Sequence, residues 1–148
     1  MNDEYLRLDN QLCFLFYSVS RAITRMYGPL LDQLGVTYPQ YLVLLILWET
    51  DNIEVNRITE LLHIDTGTVS PMLKRLEAAG LIVRQRSDND ERKVIISLTK
   101  AGHKLKVKAA TVPAELFCKT GLTLEEYGRL KAELSQILQR MEQKGSCG

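Results

Sequence analysis

Apolar positions recur along this chain at helical spacing, interrupted once by two short runs of strand character. Leu12, Leu15, Phe16, Val19 and Ile23 form a first stripe and predict a helix from about Leu8-Asp9 to Met26, broken or bent at Gly28-Pro29. Thr37-Tyr38-Pro39-Gln40 predicts the next helix start, with Thr as N-cap, Pro in the first turn and Gln closing a capping box. The helix that follows, to about Thr50, is apolar almost all round and is expected to be the central core element. Val55 to His63 predicts a short helix with Ile58, Leu61 and Leu62 turned inward.

The segment Ile64–Leu76 predicts a helix with two unlike faces. At 100° per residue Val69, Met72, Leu73 and Leu76 share one arc, while Gly67, Thr68, Ser70, Pro71, Lys74 and Arg75 occupy the other. A face of Thr, Ser and Gly followed by Lys-Arg permits close approach to a groove, with hydroxyls for phosphate or bases and cations for phosphate charge. Pro71 either bends this helix or moves its start from Thr66 toward Thr68. Leu81–Arg86 and Arg92–Leu98 then predict two strands joined by the charged turn Ser87-Asp88-Asn89-Asp90-Glu91. A helix followed by a basic hairpin is the winged helix-turn-helix pattern.

Beyond the hairpin, Thr99 predicts the cap of a long helix to about Phe117, and Thr123-Leu124-Glu125-Glu126 a second capping box. Leu124, Tyr127, Leu130, Leu134, Ile137, Leu138 and Met141 follow as one stripe. These terminal stripes lie outside the winged-helix core, and the economical cover for them is the same helices of a second subunit. The expectation is a mainly α protein with a small β hairpin, one domain over 1–148. Within it, about 34–99 would be the DNA-binding core, and about 1–33 and 100–148 the helices of a homodimer.

Composition narrows the picture only locally. The 148 residues carry a net charge of +1, but Met72–Lys100 holds seven Lys/Arg against four Asp/Glu, an excess that a dimer doubles. No signal peptide is evident and the longest apolar run, Tyr41–Trp48, is too short to span a membrane, so a cytoplasmic protein is expected. Three cysteines without a CxxC spacing do not suggest a disulfide framework. His63 and His103 lie far apart with no neighbouring Cys, which speaks against a metal site, and no cofactor motif is present.

The layout resembles the MarR family of dimeric bacterial transcription regulators. The resemblance rests on Asp65–Leu76, Gly80-Leu81-Ile82, Asp90-Glu91-Arg92 and Ile96-Ser97-Leu98-Thr99, in that order and at these spacings. Within the family, Leu8-Asp9-Asn10-Gln11-Leu12-Cys13-Phe14 is similar to the organic hydroperoxide resistance repressors. That resemblance implies Cys13 as the sensing thiol, Tyr27 and Tyr38 as the phenols that hold it, and Tyr17 as a third. It also implies Cys118 as the resolving thiol of a two-cysteine branch, bridging to the sensing cysteine of the other subunit. Cys147 matches no motif position.

The implied function is a repressor that binds an inverted-repeat operator when reduced and releases it when an organic hydroperoxide oxidises Cys13. Only a thiolate attacks the O–O bond. A helix start near Asp9 would favour that anion although Asp9 would oppose it, and phenol donors would help. Phe14, Phe16 and Tyr17 would line an apolar pocket for the peroxide. The bland alternative is a small core cysteine. For DNA the candidates are Thr66, Gly67, Thr68, Ser70, Lys74, Arg75, Arg84, Arg86, Asp90 and Arg92. Arg92 is expected to enter a minor groove with Asp90 orienting its guanidinium, and Arg84 and Arg86 to touch phosphate. Competing readings are release by a small aromatic ligand, with Cys13 incidental, and a thiol peroxidase. The last fits poorly, because one strand pair is no peroxidase scaffold and the polar-faced helix would have no use.

Overall fold

In the computed structural model, which describes residues 3–143, two 3-10 turns (Asp3–Leu6 and Leu8–Asn10) lead into α1 (Leu12–Asp32). The helix starts later than the sequence predicts. Asp9 is not a cap, because its carboxylate is held by Arg7 at 2.8 and 3.1 Å, and Gln11 occupies the N-cap without a side-chain cap bond. The expected break at Gly28-Pro29 is also absent, and α1 runs straight through it. Pro29 withholds one N–H from Arg25, whose exposed turn water can solvate, while Leu30 and Leu31 beyond it are buried and hold the helix to the core.

Thr37 then fixes α2 (Tyr38–Glu49). Its Oγ accepts from the Gln40 amide at 3.4 Å while Gln40 Oε1 accepts from the Thr37 amide at 2.9 Å, the capping box read from sequence. Tyr41, Val43, Leu44 and Leu47 of α2 are buried at the centre of the core. Next come β1 (Ile53–Glu54), α3 (Val55–Leu62) and α4 (Thr66–Ala78). In α3, Ile58 is buried but Leu61 is 42% exposed, contrary to expectation. Leu62 lies about 40° from Ile58 around the helix and Leu61 about 60° on the other side, so only Leu62 packs inward. Pro71 neither ends α4 nor delays its start.

Strands β2 (Ile82–Arg86) and β3 (Val94–Leu98) form the hairpin, and β1 joins it to make a three-stranded antiparallel sheet in the order β1-β3-β2. The third strand went unread because it contributes only two residues, pairing Ile53 with Ile96 and Glu54 with Ile95. The helix expected from Thr99 to Phe117 is in fact two, α5 (Lys100–Ala109) and α6 (Val112–Thr120). Pro113 is the reason. It cannot donate to the Ala109 carbonyl, so the first helix stops and Pro113 sits in the first turn of the next.

Helix α7 (Leu124–Gln143) begins at the second capping box, with the Glu126 carboxylate accepting from the Thr123 amide at 2.8 Å. None of its described residues is buried. Its apolar stripe faces solvent, as does the first half of α1, with Leu12 64% and Leu124 78% exposed. At its far end Glu142 meets the imidazole of His63, in the turn between α3 and α4.

One close approach locks α5 to the sheet. Trp48 Nε1 donates to the Gly102 carbonyl at 3.0 Å, and a Cβ at residue 102 would collide with the Leu81 carbonyl oxygen and lie 3.0 Å from Leu98 Cδ2. Gly102→Ala is therefore expected to lower stability by about 1–3 kcal/mol through overpacking, although Ala favours an open helix by about 1 kcal/mol. Urea unfolding at fixed protein concentration checks the sign, and a stabilised variant would show that the contact is not tight.

Candidate nucleic-acid interface and thiol site

Helix α4 owes its start to Asp65, whose Oδ1 accepts from the Thr68 amide at 2.7 Å. With Val69, Met72, Leu73 and Leu76 buried, the opposite face is left outside. Thr66, Gly67, Thr68, Lys74 and Arg75 are exposed there and Ser70 is half-buried. The missing N–H of Pro71 leaves the Gly67 carbonyl without its helical partner on this exposed face, where water serves it.

The hairpin tip is built by Asp90. Its Oδ1 accepts from the Arg92 amide at 3.0 Å, and its carbonyl accepts from the Lys93 amide at 2.9 Å. The same carboxylate oxygen lies 3.7 Å from Arg92 Nε, so Asp90 shapes the backbone first and steers the guanidinium only loosely. The Arg92 side chain is 94% exposed and projects into solvent. Arg86 is exposed as well. Arg84 is different: its Nε and Nη2 both reach Glu77 Oε2 at 2.8 Å, tying β2 to α4. The sequence placed Arg84 among the free cations because nothing in the strand pattern reveals a carboxylate seven residues earlier on a neighbouring helix.

Between α4 and the hairpin lies an open cleft of about 170 Å³, lined among others by Asn56, Thr66, Ser70, Arg84, Arg92 and Lys93. Lys93 pairs with Glu54 at 3.2 Å across the first and third strands. Asn56 and Lys93 were not read as candidates. Asn56 reaches the cleft only because β1 docks the start of α3 beside the hairpin.

The second group of candidates lies on α1. Cys13 is the second residue of the helix and is exposed, so it is no core cysteine. Tyr27 is fourteen residues further along the same unbroken helix, about 21 Å away along the axis. Cys13 and Tyr27 of one chain therefore cannot touch. Tyr27 instead stacks on Tyr38, ring centroids 4.4 Å apart, and lies 5.8 Å from Tyr41, which the sequence reading did not single out. Burial pushes the Tyr27 phenol well above its ordinary range, with the neighbouring phenols of Tyr38, Tyr41 and Tyr127 adding to the shift. Burial raises Tyr38 and Tyr41 too. All three stay protonated at neutral pH and are hydrogen-bond donors.

Tyr17 is exposed, with the Arg21 guanidinium 5.4 Å above its ring and Nη1 3.4 Å from its hydroxyl. Phe14 and Phe16 are more than a third exposed in one chain. Cys118 is exposed on α6, a helix that packs along α1. Cys147 lies outside the described residues. No cluster that could hold a metal ion occurs among those described, and no described helix is long and apolar enough to cross a membrane.

The fold and the polar-faced helix with its basic hairpin define a winged helix-turn-helix regulator. A family model for the transcriptional regulator SarA/Rot matches residues 25–109. The organic hydroperoxide resistance transcriptional regulator of Bacillus subtilis is 48% identical over 141 residues, 95% of this chain and 96% of its own. AbfR of Staphylococcus epidermidis, reduced and bound to DNA, is 38% identical, with 99% of this chain and 100% of its own covered and a TM-score of 0.80. Its overoxidised, DNA-bound form is 39% identical over 95% and 99%, at a TM-score of 0.75. The disulfide form is 38% identical over 92% and 96%, and its TM-score falls to 0.60. The chain belongs to the SarA/Rot family of transcriptional regulators, within the MarR-type winged-helix proteins.

The two kinds of arginine separate experimentally. Arg84→Ala is expected to cost about 0.5–1 kcal/mol of unfolding free energy, the worth of a partly exposed ion pair, whereas Arg86→Ala should leave stability unchanged. Thermal and urea denaturation of the two variants side by side make the check, and equal stabilities would deny the Glu77 contact any structural weight.

Proposed function

We propose that this chain is a homodimeric, redox-sensing transcriptional repressor that binds an inverted-repeat operator in duplex DNA when reduced and releases it when an organic hydroperoxide oxidises Cys13. The observation that carries the reading is the exposed Cys13 in the first turn of α1, in a chain whose fold follows reduced, DNA-bound AbfR more closely than the disulfide form. The 48% identity to a hydroperoxide resistance regulator supports the oxidant. Residues of about 1–33 and 100–148 form the dimer, bringing the exposed stripes of α1 and α7 together, and about 34–99 read DNA. The protein acts in the cytoplasm and consumes hydroperoxide once per thiol rather than catalytically.

On DNA, Thr66, Gly67, Thr68 and Ser70 enter the major groove, and Lys74, Arg75 and Arg86 meet phosphate. Arg92 enters the adjacent minor groove, with Asp90 holding the turn that presents it. Arg84 contributes by fixing the hairpin to α4.

Cys13 stands in the first turn of α1, open to the oxidant. The Cys13 thiolate attacks the outer oxygen of the hydroperoxide, the O–O bond breaks and the alcohol leaves, giving a sulfenic acid. Because one helix separates Cys13 from its own Tyr27, the phenols that steady the thiolate are the partner subunit's Tyr27 and the partner subunit's Tyr38. Tyr17, near the sensing end of α1, borders the same pocket. The sulfenic acid then condenses with the partner subunit's Cys118, forming the S–S bond and releasing water. Formation of this disulfide, rather than further oxidation of Cys13, is the releasing event, in keeping with an overoxidised relative found on DNA.

Cys13→Ser is expected to bind operator as tightly as the parent and to stay bound in cumene hydroperoxide, as followed by fluorescence anisotropy. Normal release by that variant would hand the function to a small-ligand regulator. Mixed dimers test the crossed site: one subunit carries Cys13→Ser, the other Tyr27→Phe and Tyr38→Phe. Crossed pairing leaves one intact site per mixed dimer and normal sulfenic acid formation at it, whereas pairing within a chain leaves none. Arg92→Ala should weaken specific operator binding by on the order of 1–3 kcal/mol, and an unchanged affinity would make the hairpin a purely structural element.

A further inference from the structure

Cys118 sits in the last turn of α6, which is closed by two hydrogen bonds of its own and met from outside by one aromatic ring. The Gly121 amide donates to the Cys118 carbonyl at 3.4 Å, and the Thr120 hydroxyl donates to the Phe117 carbonyl at 2.7 Å. The neighbouring Phe117 ring meets Tyr127 of α7 edge-on, at 5.6 Å between centroids and 85° between planes. Gly121, at φ 71°, terminates α6 in the left-handed region and is followed directly by the connector into α7. It is the residue best able to absorb a torsional change there. Helix α7 is otherwise only loosely attached to its own chain, with no described residue buried.

We propose that the Phe117–Tyr127 ring contact is a latch that holds the last turn of α6 in its reduced arrangement and so sets the rate at which Cys118 reaches oxidised Cys13. The proposal rests on the reading of Cys118 as the resolving thiol. Forming the disulfide requires the two Cα atoms to come within roughly 7 Å with their Cβ atoms facing. While α6 is pinned to α7 through the ring pair, the thiol keeps the direction that the helix gives it. Opening the pair frees the final turn to rotate about Gly121 and carry Cys118 toward the partner. The ring pair takes no direct part in the attack on the hydroperoxide, and its Phe117 member carries no polar group that could alter that step. Its residues stand near the phenol cluster without belonging to the recognition helix or the wing, and Tyr127 contributes to the field around Tyr27.

The chemistry that the latch times is balanced by the hydroperoxide alone. One equivalent oxidises Cys13 to the sulfenic acid and leaves as alcohol. The Cys118 thiol then displaces the sulfenic hydroxyl, its proton leaving with that hydroxyl as water, and the two sulfurs are joined. A slow second step prolongs the life of the sulfenic acid and exposes it to further oxidation, so the ring pair also sets how the signal divides between a reversible and an irreversible end.

The test uses the full-length protein with cumene hydroperoxide in excess, so that the second step limits. Sulfenic acid at Cys13 is followed by dimedone trapping and mass spectrometry, and the Cys13–Cys118 crosslink by non-reducing electrophoresis with peptide mapping. Tyr127→Ala and Phe117→Leu are each expected to speed crosslinking by roughly two- to tenfold, the range an aromatic pair is worth, and Phe117→Leu to do so with the rate of sulfenic acid formation unchanged. Tyr127→Phe keeps the ring and should crosslink at the parent rate. Phe117 is off the α7 stripe, so its variant decides the matter if light scattering shows that Tyr127→Ala weakens the dimer. Unchanged or slower crosslinking in Phe117→Leu overturns the latch. A parent protein that forms the sulfenic acid but no Cys13–Cys118 crosslink overturns the resolving role and the latch with it. No sulfenic acid at Cys13 overturns the sensor reading itself.

Discussion

Helix α1 is continuous from Leu12 to Asp32, and a continuous helix fixes distance: each residue adds 1.5 Å along the axis. Cys13 stands at one end and Tyr27 fourteen residues on, too far for any side-chain rotation to close. Two such helices running past one another in opposite directions remove the difficulty, because each then brings its thiol to the other's phenols. With Cys13 as the proposed sensing thiol, the length of α1 makes the proposed redox site a property of the dimer. It also explains why the apolar half of α1 that carries Leu12, Leu15 and Val19 is bare in one chain while the half that carries Leu30 and Leu31 is buried.

That constraint joins chemistry to DNA binding without any separate transmitting element. A two-fold dimer sets the separation of its two recognition helices, and the operator demands one separation. In the proposed dimer the helices that set it also carry Cys13 and Cys118, so the proposed crosslink between subunits would act directly on the spacing. Rigidity within each reading head matters for the same reason. Glu77 and Arg84 clamp the hairpin to α4, Lys93 and Glu54 bind the hairpin to β1, and the Gly102 contact packs α5 against the sheet. In the proposed mechanism a head stiffened in this way would carry the wing and the recognition helix together when the dimer shifts.

The environments of the two sets of polar residues differ in keeping with their tasks. On the reading face the side chains are short or fully hydrated, and Arg92 is free to be desolvated by a groove rather than by its own protein. Around Tyr27 the rings of Tyr38 and Tyr41 pack close and shield it from water, which keeps the phenols protonated.

Much of this was legible in the order of the residues. Periodicity gave the buried arc of α4, and the capping boxes at Thr37 and Thr123 gave two helix starts, because those signals depend on neighbours within one turn. Pro113 was equally local, and it marks the break between α5 and α6 that the apolar pattern alone concealed. The candidate residues proposed for chemistry, Cys13, the tyrosines and the basic hairpin, were likewise named from local signals. What the sequence could not decide were relations between distant segments. Pro29 and Pro71 stay within helices because packing on their far sides outweighs one lost bond each. Arg84 belongs to Glu77 rather than to solvent, β1 exists only because β3 offers it an edge, and Leu61 faces out while Leu62 faces in. Tyr127 lies beside Phe117 because α6 and α7 fold back on one another. Each of these is settled by free energies of contact between residues far apart in the chain, which a pattern of neighbours does not contain.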